Sequence, residues 1–167
     1  FQEGGKLFLA CEPQVGKTLR SLRDVLPQKR WQPHEILPLL DSICEALQAA
    51  HDAGIMHGRL SLDCLRWSAN AAKIADFGLP PMRGGSQRQT SGGLTRDTDL
   101  FAVSVCVFEM LAGAAPIFTQ EGADTHELPK GIDALLAGGL SRDPARHFQT
   151  ARELFTTYRD CVSAASL

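Results

Sequence analysis

Residues 55–65 of the chain read IMHGRLSLDCL and residues 73–78 read KIADFG, and these two segments decide the fold. The first predicts a histidine-containing loop that runs into a strand at 64–67. Residues 68–71 are typical of a turn, and the second segment predicts another strand that ends in a glycine turn. The two segments therefore predict a loop followed by two short strands.

Apolar spacing elsewhere in the chain predicts helices. Apolar residues that step by four and three along one face predict a long helix that begins at Pro33 and ends at Gly54. The apolar stretch around 99–112 predicts a helix buried on all sides. Shorter patterns predict a strand at 6–11, helices at 19–26 and 132–140, and a helix that starts at the capping box of Thr150 and Glu153. We therefore expect a mainly α fold with a few short β-strands, in the α+β class.

Composition excludes several classes of protein. The chain has 167 residues with 44% hydrophobic side chains, enough to bury roughly 70% of its surface without a disulfide or metal. The five cysteines are odd in number and form no CxxC pair, so we expect reduced thiols, a cytoplasmic location and no cofactor. A net charge of -2 gives no general attraction to nucleic acid. The longest apolar run, 100–118, is broken by Glu109, Gly113 and Pro116, so we expect no membrane span.

A phosphate-binding loop is the first functional alternative. Gly16, Lys17 and Thr18 follow an apolar strand and precede a helix, as they do in that motif. The motif also requires a glycine at the position that Cys11 occupies, and a parallel sheet that this pattern of elements does not predict. The sequence therefore favours a plain turn here.

The order of the motifs resembles the C-terminal lobe of protein kinases. A histidine-containing loop, two strands and Asp-Phe-Gly come first, followed by an apolar helix that begins at Asp99 and an Asp-Pro-Ala-Arg turn at 143–146. The resemblance also places the last strand and hinge of the N-lobe before residue 17, with Cys11 at the gatekeeper position. We thus expect one domain over 1–167, formed by a remnant strand and hinge at 1–16 and a helical lobe at 17–167. Because the chain opens on Phe1, we expect further sequence upstream.

The resemblance also implies that the catalytic positions are degenerate. Counted from His57 of the His-Arg-Asp pattern, the aspartate that accepts the substrate proton corresponds to Arg59, whose guanidinium cannot accept a proton near neutral pH. The lysine that faces the transferred phosphate corresponds to Ser61. The metal-binding asparagine corresponds to Cys64, and a thiol is a poor magnesium ligand. We therefore expect no phosphotransferase activity.

Other family positions are retained and are interpreted as structural. The resemblance implies that His57 and Asp99 join the catalytic loop to the central helix, that Phe77 packs in the core and that Gly78 permits a turn. Asp76 is a weak candidate to bind a cofactor, because its partner asparagine is missing. No Ala-Pro-Glu motif precedes the Asp99 helix, so Arg146 lacks the glutamate that its family counterpart pairs with. We expect Arg146 to be exposed or to have another acidic partner.

These residues predict a protein-interaction module. The chain resembles a pseudokinase or a kinase non-catalytic C-lobe (KIND) domain, which implies a protein partner and a signalling or scaffolding role rather than ATP binding. The candidate surface is the cleft-facing side of the lobe, with Leu65 and Phe77, together with Arg83 and Arg88 of the basic loop at 79–98. The alternative is a nucleotide-binding switch or weak kinase completed by an N-lobe outside this chain.

Overall fold

The computed structural model describes residues 2–3, 6–7, 15–68, 71–77 and 94–165. Two strands at the start of the chain form an antiparallel hairpin, in which β1 (Gln2–Glu3) pairs with β2 (Lys6–Leu7). Residues 4–5 and the rest of the predicted strand to residue 11 lie outside the described residues. The helices and remaining strands that follow in the chain are β3 (Lys17–Thr18), α1 (Leu19–Asp24), a 3-10 turn (Pro27–Lys29), α2 (Pro33–Asp52), β4 (Leu65–Ser68), β5 (Ala71–Ile74), α3 (Arg96–Ala112), α4 (Ile132–Gly139), a second 3-10 turn (Pro144–Arg146) and α5 (Ala151–Ala164).

The second sheet contains the end of the 55–65 segment, in β4, and the start of the 73–78 segment, in β5. Its strands are antiparallel in the order β3-β4-β5, and Leu65 pairs with Ile74 while Ser68 pairs with Ala71. The sequence predicts the second strand of this hairpin at 73–75, whereas β5 begins at Ala71. It begins earlier because Ala71 and Ala72 already pair with Ser68 and Trp67 of β4.

The core lies between the long helices and this sheet. One face of α2 is buried, and the helix packs on β5, α3 and α5. The central helix α3 is buried along most of its length, as the apolar stretch predicts. The hydroxyl of Tyr158 on α5 donates to the carbonyl of Pro33 at 3.0 Å and so ties α5 to the start of α2. The fold is therefore mainly helical, with short strands at one side.

Capping side chains set the helix starts. Thr150 accepts from the amide of Glu153 at 3.0 Å, which is one half of the predicted capping box. The Glu153 carboxylate reaches back to the amide of Gln149 rather than to that of Thr150. Helix α3 starts one turn earlier than its apolar pattern suggests, because Thr95 caps it by accepting from the amide of Thr98.

The structure also explains the segment that resembles a phosphate-binding loop. Lys17 and Thr18 form β3, and the Thr18 hydroxyl caps α1 by accepting from the amide of Ser21 at 3.1 Å. Gly16 has φ +97, and a Cβ at this position would lie 2.4 Å from the carbonyl oxygen of Trp67. These residues therefore form a strand and a helix cap. In the described ranges, no helix is long and apolar enough to cross a bilayer.

Candidate functional site

The carboxylate of Asp99 holds the loop that follows α2. Asp99 is fully buried at the start of α3. One of its oxygens accepts from the amide of His57 at 2.8 Å and lies 2.9 Å from Nε2 of His51, and the other accepts from the amide of Gly58 at 2.7 Å. Arg96 adds a further link by donating to the carbonyl of His51 at 2.9 Å. The loop is therefore fixed to the central helix by several hydrogen bonds.

The ring of His57 connects this loop to Ala75, the residue that follows β5. Its Nε2 lies 2.8 Å from the carbonyl oxygen of Ala75, and its Nδ1 lies 3.2 Å from the amide nitrogen of Arg59. A carbonyl can only accept and an amide N–H can only donate, so the ring carries its proton on Nε2. The imidazole therefore links two backbone segments by forming a hydrogen bond at each of its nitrogens.

The turn after β5 presents Asp76 and Phe77. Phe77 is half-buried, and its ring meets the ring of His57 edge-on with the centroids 4.7 Å apart. Asp76 is exposed and has φ +67, a left-handed conformation that is uncommon for a residue with a side chain. The ring of Phe77 therefore packs against the loop, while the side chain of Asp76 beside it is exposed to solvent.

The thiol of Cys64 is turned into the protein. Its side chain is 3% exposed, and Sγ accepts from the amide of Ser61 at 3.1 Å and donates to the carbonyl of the same residue. Burial raises the pKa of this thiol above its ordinary value. Cys64 is therefore a neutral, hydrogen-bonded core residue.

An ion network joins the loop to α1 and α3. Arg20 Nε donates to both oxygens of Asp63 at 2.8 and 2.9 Å, and Arg20 also lies 3.5 Å from the carboxylate of Glu109. Arg23 contacts the same Glu109 oxygen at 3.1 Å. These side chains bring together residues from three distant parts of the chain and neutralise both acids.

Relatives of the chain are bacterial protein kinases. It is 26% identical over 184 residues to the serine/threonine-protein kinase PknL of Mycobacterium tuberculosis, covering 90% of this chain and 46% of that protein. It is 24% identical over 182 residues to a probable serine/threonine-protein kinase of Clostridium perfringens, covering 88% of this chain and 26% of that protein. It is 31% identical over 110 residues to the kinase Pkn1 of Myxococcus xanthus, covering 52% of this chain and 16% of that protein. No family model matches the chain.

Solved structures agree with these relatives. The kinase domain of Mycobacterium tuberculosis PknI, as a double mutant, superposes with a TM-score of 0.73 at 20% identity over 87% of this chain. The chain has a protein-kinase-like fold. It spans 62% of that kinase domain and less than half the length of the curated relatives named above. The expected α+β fold of a kinase C-terminal lobe is confirmed.

The kinase-like fold brings most of the expected site residues together. His57, Asp99 and Phe77 meet around the loop, where the amide of His57 donates to Asp99 and the ring of His57 contacts that of Phe77. Arg146 is exposed in the second 3-10 turn, which is one of the two outcomes expected for a residue without its usual glutamate. Four of the expected residues lie outside the described part of the chain, namely Cys11, Gly78, Arg83 and Arg88.

The prediction that Leu65 belongs to the interaction surface is wrong. Leu65 is 0% exposed and belongs to the hydrophobic core, so its side chain offers no surface to a partner. Its neighbour Arg66 lies on the opposite face of the strand, because side chains alternate along a strand. Among the residues expected at this surface, only Phe77 is both described and accessible in part.

Sequence reasoning missed two members of the site. His51 is 1% exposed beside Asp99, although its sequence context shows no ligand spacing. It follows Leu47 by four residues on the buried face of α2, and this periodicity is the signal that could have identified it. Arg20 was missed because the partners of its guanidinium, Asp63 and Glu109, are remote in sequence.

Proposed function

We propose that this kinase-like domain does not transfer phosphate and serves as a protein-interaction or scaffolding module. The observation that carries the proposal is Arg59, which stands where the resemblance assigns the catalytic aspartate. A guanidinium remains protonated at neutral pH and adds a positive charge where the reaction needs a proton acceptor. The substitutions at Ser61 and Cys64 support the same conclusion.

The residues of the loop do not fit a magnesium ion. Cys64 stands at the position of the metal-binding asparagine, but its thiol is buried and hydrogen-bonded to Ser61. Magnesium prefers oxygen ligands in a nearly octahedral arrangement, which a neutral thiol does not supply. Asp76 is an exposed carboxylate. In the part of the chain that the structure describes, no group of three His, Cys, Asp or Glu side chains is placed to hold a metal.

The partner surface that we propose is the cleft-facing side of the lobe. In kinases this side of the lobe contacts another domain, the N-lobe, and we propose that in this protein it is the side on which a partner protein docks. Phe77 contributes a half-buried aromatic edge, and Arg83 and Arg88 remain proposed members on the basis of sequence alone. Binding of a partner at this surface requires no catalytic residue. The hydrogen bonds of Asp99 and His57 hold the loop beside this surface in place.

A phosphotransfer assay tests the loss of activity. The purified chain is incubated with radiolabelled ATP and Mg²⁺ or Mn²⁺, both alone and with a generic basic protein substrate. We expect no incorporation above that of the Asp76→Ala variant, because proton acceptor and metal ligand are both replaced. Incorporation by the wild-type chain that disappears in Asp76→Ala would contradict the proposal.

A nucleotide-binding switch, or a weak kinase completed by an N-lobe outside this chain, is the second candidate function. It is favoured by the retained sequence Asp76-Phe77-Gly78 and by relatives that are named serine/threonine kinases. A ligand that binds the folded state raises the melting temperature by mass action. A rise with ATP and Mg²⁺ that is lost in Asp76→Ala favours this candidate, whereas an unchanged melting temperature favours the interaction module.

A further inference from the structure

A groove runs along the surface of the protein between α2 and α5. Its volume is about 580 Å³, and one side of each helix forms one of its walls. The lining positions recur at the three-and-four spacing of a helical face, from Asp41 to Asp52 on α2 and from Arg152 to Arg159 on α5. The α2 wall therefore extends over about three turns, roughly 16 Å, which is long enough to contact another helix.

Apolar side chains form the floor of this groove. Cys44 is 3% exposed and belongs to the hydrophobic core, and Phe155 is half-buried and packs against that core. Glu45 and Arg152, which line the two walls, are exposed. The groove therefore combines an apolar floor with charged rims, as a groove that receives an amphipathic helix does.

The two walls of the groove carry opposite charges. Asp41, Glu45 and Asp52 lie on the α2 wall, where none of the described lining residues is a lysine or arginine. Arg152 and Arg159 lie on the α5 wall, where none of them is an acid. A ligand that complements both walls therefore carries positive charge on one side and negative charge on the other.

These charges do not neutralise each other across the groove. Arg159 pairs with Asp160 of its own helix at 3.0 Å. Within the described ranges of the chain, Asp41, Glu45 and Arg152 form no ion pair, and no ion pair joins the two walls. Both walls therefore retain charge that attracts charged groups of a partner.

Gln48 adds an acceptor without a donor to the α2 wall. Its amide nitrogen donates to the carboxylate of Asp52 at 2.8 Å, and only the nitrogen of an amide can donate, so this bond fixes which amide atom faces Asp52. The amide oxygen is buried and has no donor among the residues that the structure describes. Buried acceptors without a donor are uncommon in folded proteins. The α2 wall therefore lacks a donor for this oxygen as well as a positive charge, and lysine and arginine side chains supply both.

We propose that the groove between α2 and α5 binds a helix of a partner protein. This helix carries lysine or arginine along the edge that faces Asp41 and Glu45, and glutamate or aspartate along the edge that faces Arg152. Small or apolar side chains between the two edges contact Phe155 on the floor. Helices recognise such grooves through side chains at the three-and-four spacing, which the two walls share.

Other classes of ligand fit the groove less well. The three carboxylates of the α2 wall repel the phosphates of a nucleic acid. Sites for small molecules are lined mainly by apolar side chains, whereas both rims of this groove are charged. Phe77 and the loop around His57 do not line the groove, so it is a second surface that does not depend on the loss of catalysis.

The test uses a fluorescein-labelled, hydrocarbon-stapled helical peptide of about four turns. It has lysine along one edge, alanine and leucine in the centre and glutamate along the other edge, and its binding is measured by fluorescence anisotropy. We expect saturable binding that weakens as salt is added. A control peptide of the same composition, with lysine and glutamate mixed on both edges, should bind at least about fivefold more weakly.

Charge reversals on the two walls test the location of the site. Glu45→Lys and Arg152→Glu should each weaken peptide binding at least about fivefold, because each places a like charge against one edge of the peptide. The matched controls Glu121→Lys and Arg142→Glu make the same changes at exposed residues outside the groove and should leave binding unchanged. The melting temperature of Glu45→Lys should not fall, since an acid four residues before a lysine stabilises a helix and Asp41 stands at that position.

Affinity lost in both groove variants and kept in both controls supports the inference. A peptide that shows no saturable binding, or that binds either groove variant as tightly as wild type, overturns it. An equal loss of affinity in Glu121→Lys also overturns it, because the peptide would then respond to the overall charge of the protein. Each of these results leaves the proposed loss of catalysis standing, because that proposal is tested by the phosphotransfer assay.

Discussion

The carboxylate of Asp99 determines the shape of the loop around His57. It accepts from two consecutive backbone amides and from the imidazole of His51; the bonds from His57 and His51 are buried and that from Gly58 is partly buried. A buried donor that loses its acceptor costs about 1–3 kcal/mol. Several donors therefore depend on one side chain, which makes this carboxylate the most sensitive position of the candidate site.

We expect Asp99→Asn to lower the free energy of unfolding by about 2–4 kcal/mol, because an amide keeps one acceptor oxygen and turns its NH₂ toward another donor. Urea unfolding followed by circular dichroism measures the change. The control is Asp160→Asn on the exposed side of α5, where a surface ion pair contributes about 0–1 kcal/mol. Equal effects at the two positions would refute the role given to Asp99.

The junction between α3 and the first 3-10 turn depends on a close approach of two backbones. Gly113 ends α3 with φ +79, and a Cβ there would lie 2.8 Å from the carbonyl oxygen of Gln28 and 3.2 Å from that of Lys29. Gly54, just beyond the end of α2, has a similar φ of +75 but open space around it. The two helix ends therefore share a backbone conformation and differ in packing.

Gly113→Ala should destabilise the protein more than Gly54→Ala. Both changes place a side chain in a left-handed conformation, which costs about 1 kcal/mol, but only the first also forces a backbone apart. We expect the free energy of unfolding to fall by about 1 kcal/mol for Gly54→Ala and by about 2–3 kcal/mol for Gly113→Ala. Urea unfolding compares the two variants directly. Equal decreases in the free energy of unfolding would mean that the 3-10 turn moves away from the added methyl group at no energetic cost.

Several buried side chains in the core of the molecule have pKa values above their ordinary values. Burial raises the pKa of the Cys44 thiol to about 12, and burial raises the pKa values of Cys106 and Tyr158 as well. In the unfolded chain the thiols ionise near pH 9. The folded state therefore binds more protons than the unfolded state above that pH, so the stability present below about pH 9 is lost as pH rises toward 12.

We expect the free energy of unfolding to fall between about pH 9 and pH 11 with a slope approaching 1.4 kcal/mol per pH unit for each buried thiol. Urea unfolding at a series of pH values measures the slope. In Cys44→Ala the protein should be less stable at neutral pH, and its alkaline slope should be shallower. A slope that this substitution does not change would show that Cys44 does not titrate with folding.

Much of this architecture follows from local patterns in the sequence. The four-and-three spacing predicts α2 closely, since one apolar face at helical period must be buried. Thr150 and Glu153 indicate the start of α5 because a cap involves residues only three apart. The motifs around His57 and Asp76 identify the kinase-like lobe through their order. Such features depend on neighbours in sequence, and so the sequence alone determines them.

Tertiary structure decided which side chains of the second sheet are buried and which are not. Leu65 and Arg66 are adjacent in sequence, and only the packing of the sheet on α2 shows that the first is buried and the second faces outward. The partnership of His51 with Asp99 joins residues 48 positions apart, and that of Arg20 with Asp63 joins residues 43 apart. Hydrogen bonds and ion pairs act over a few ångströms, so they form only after packing has brought remote segments together.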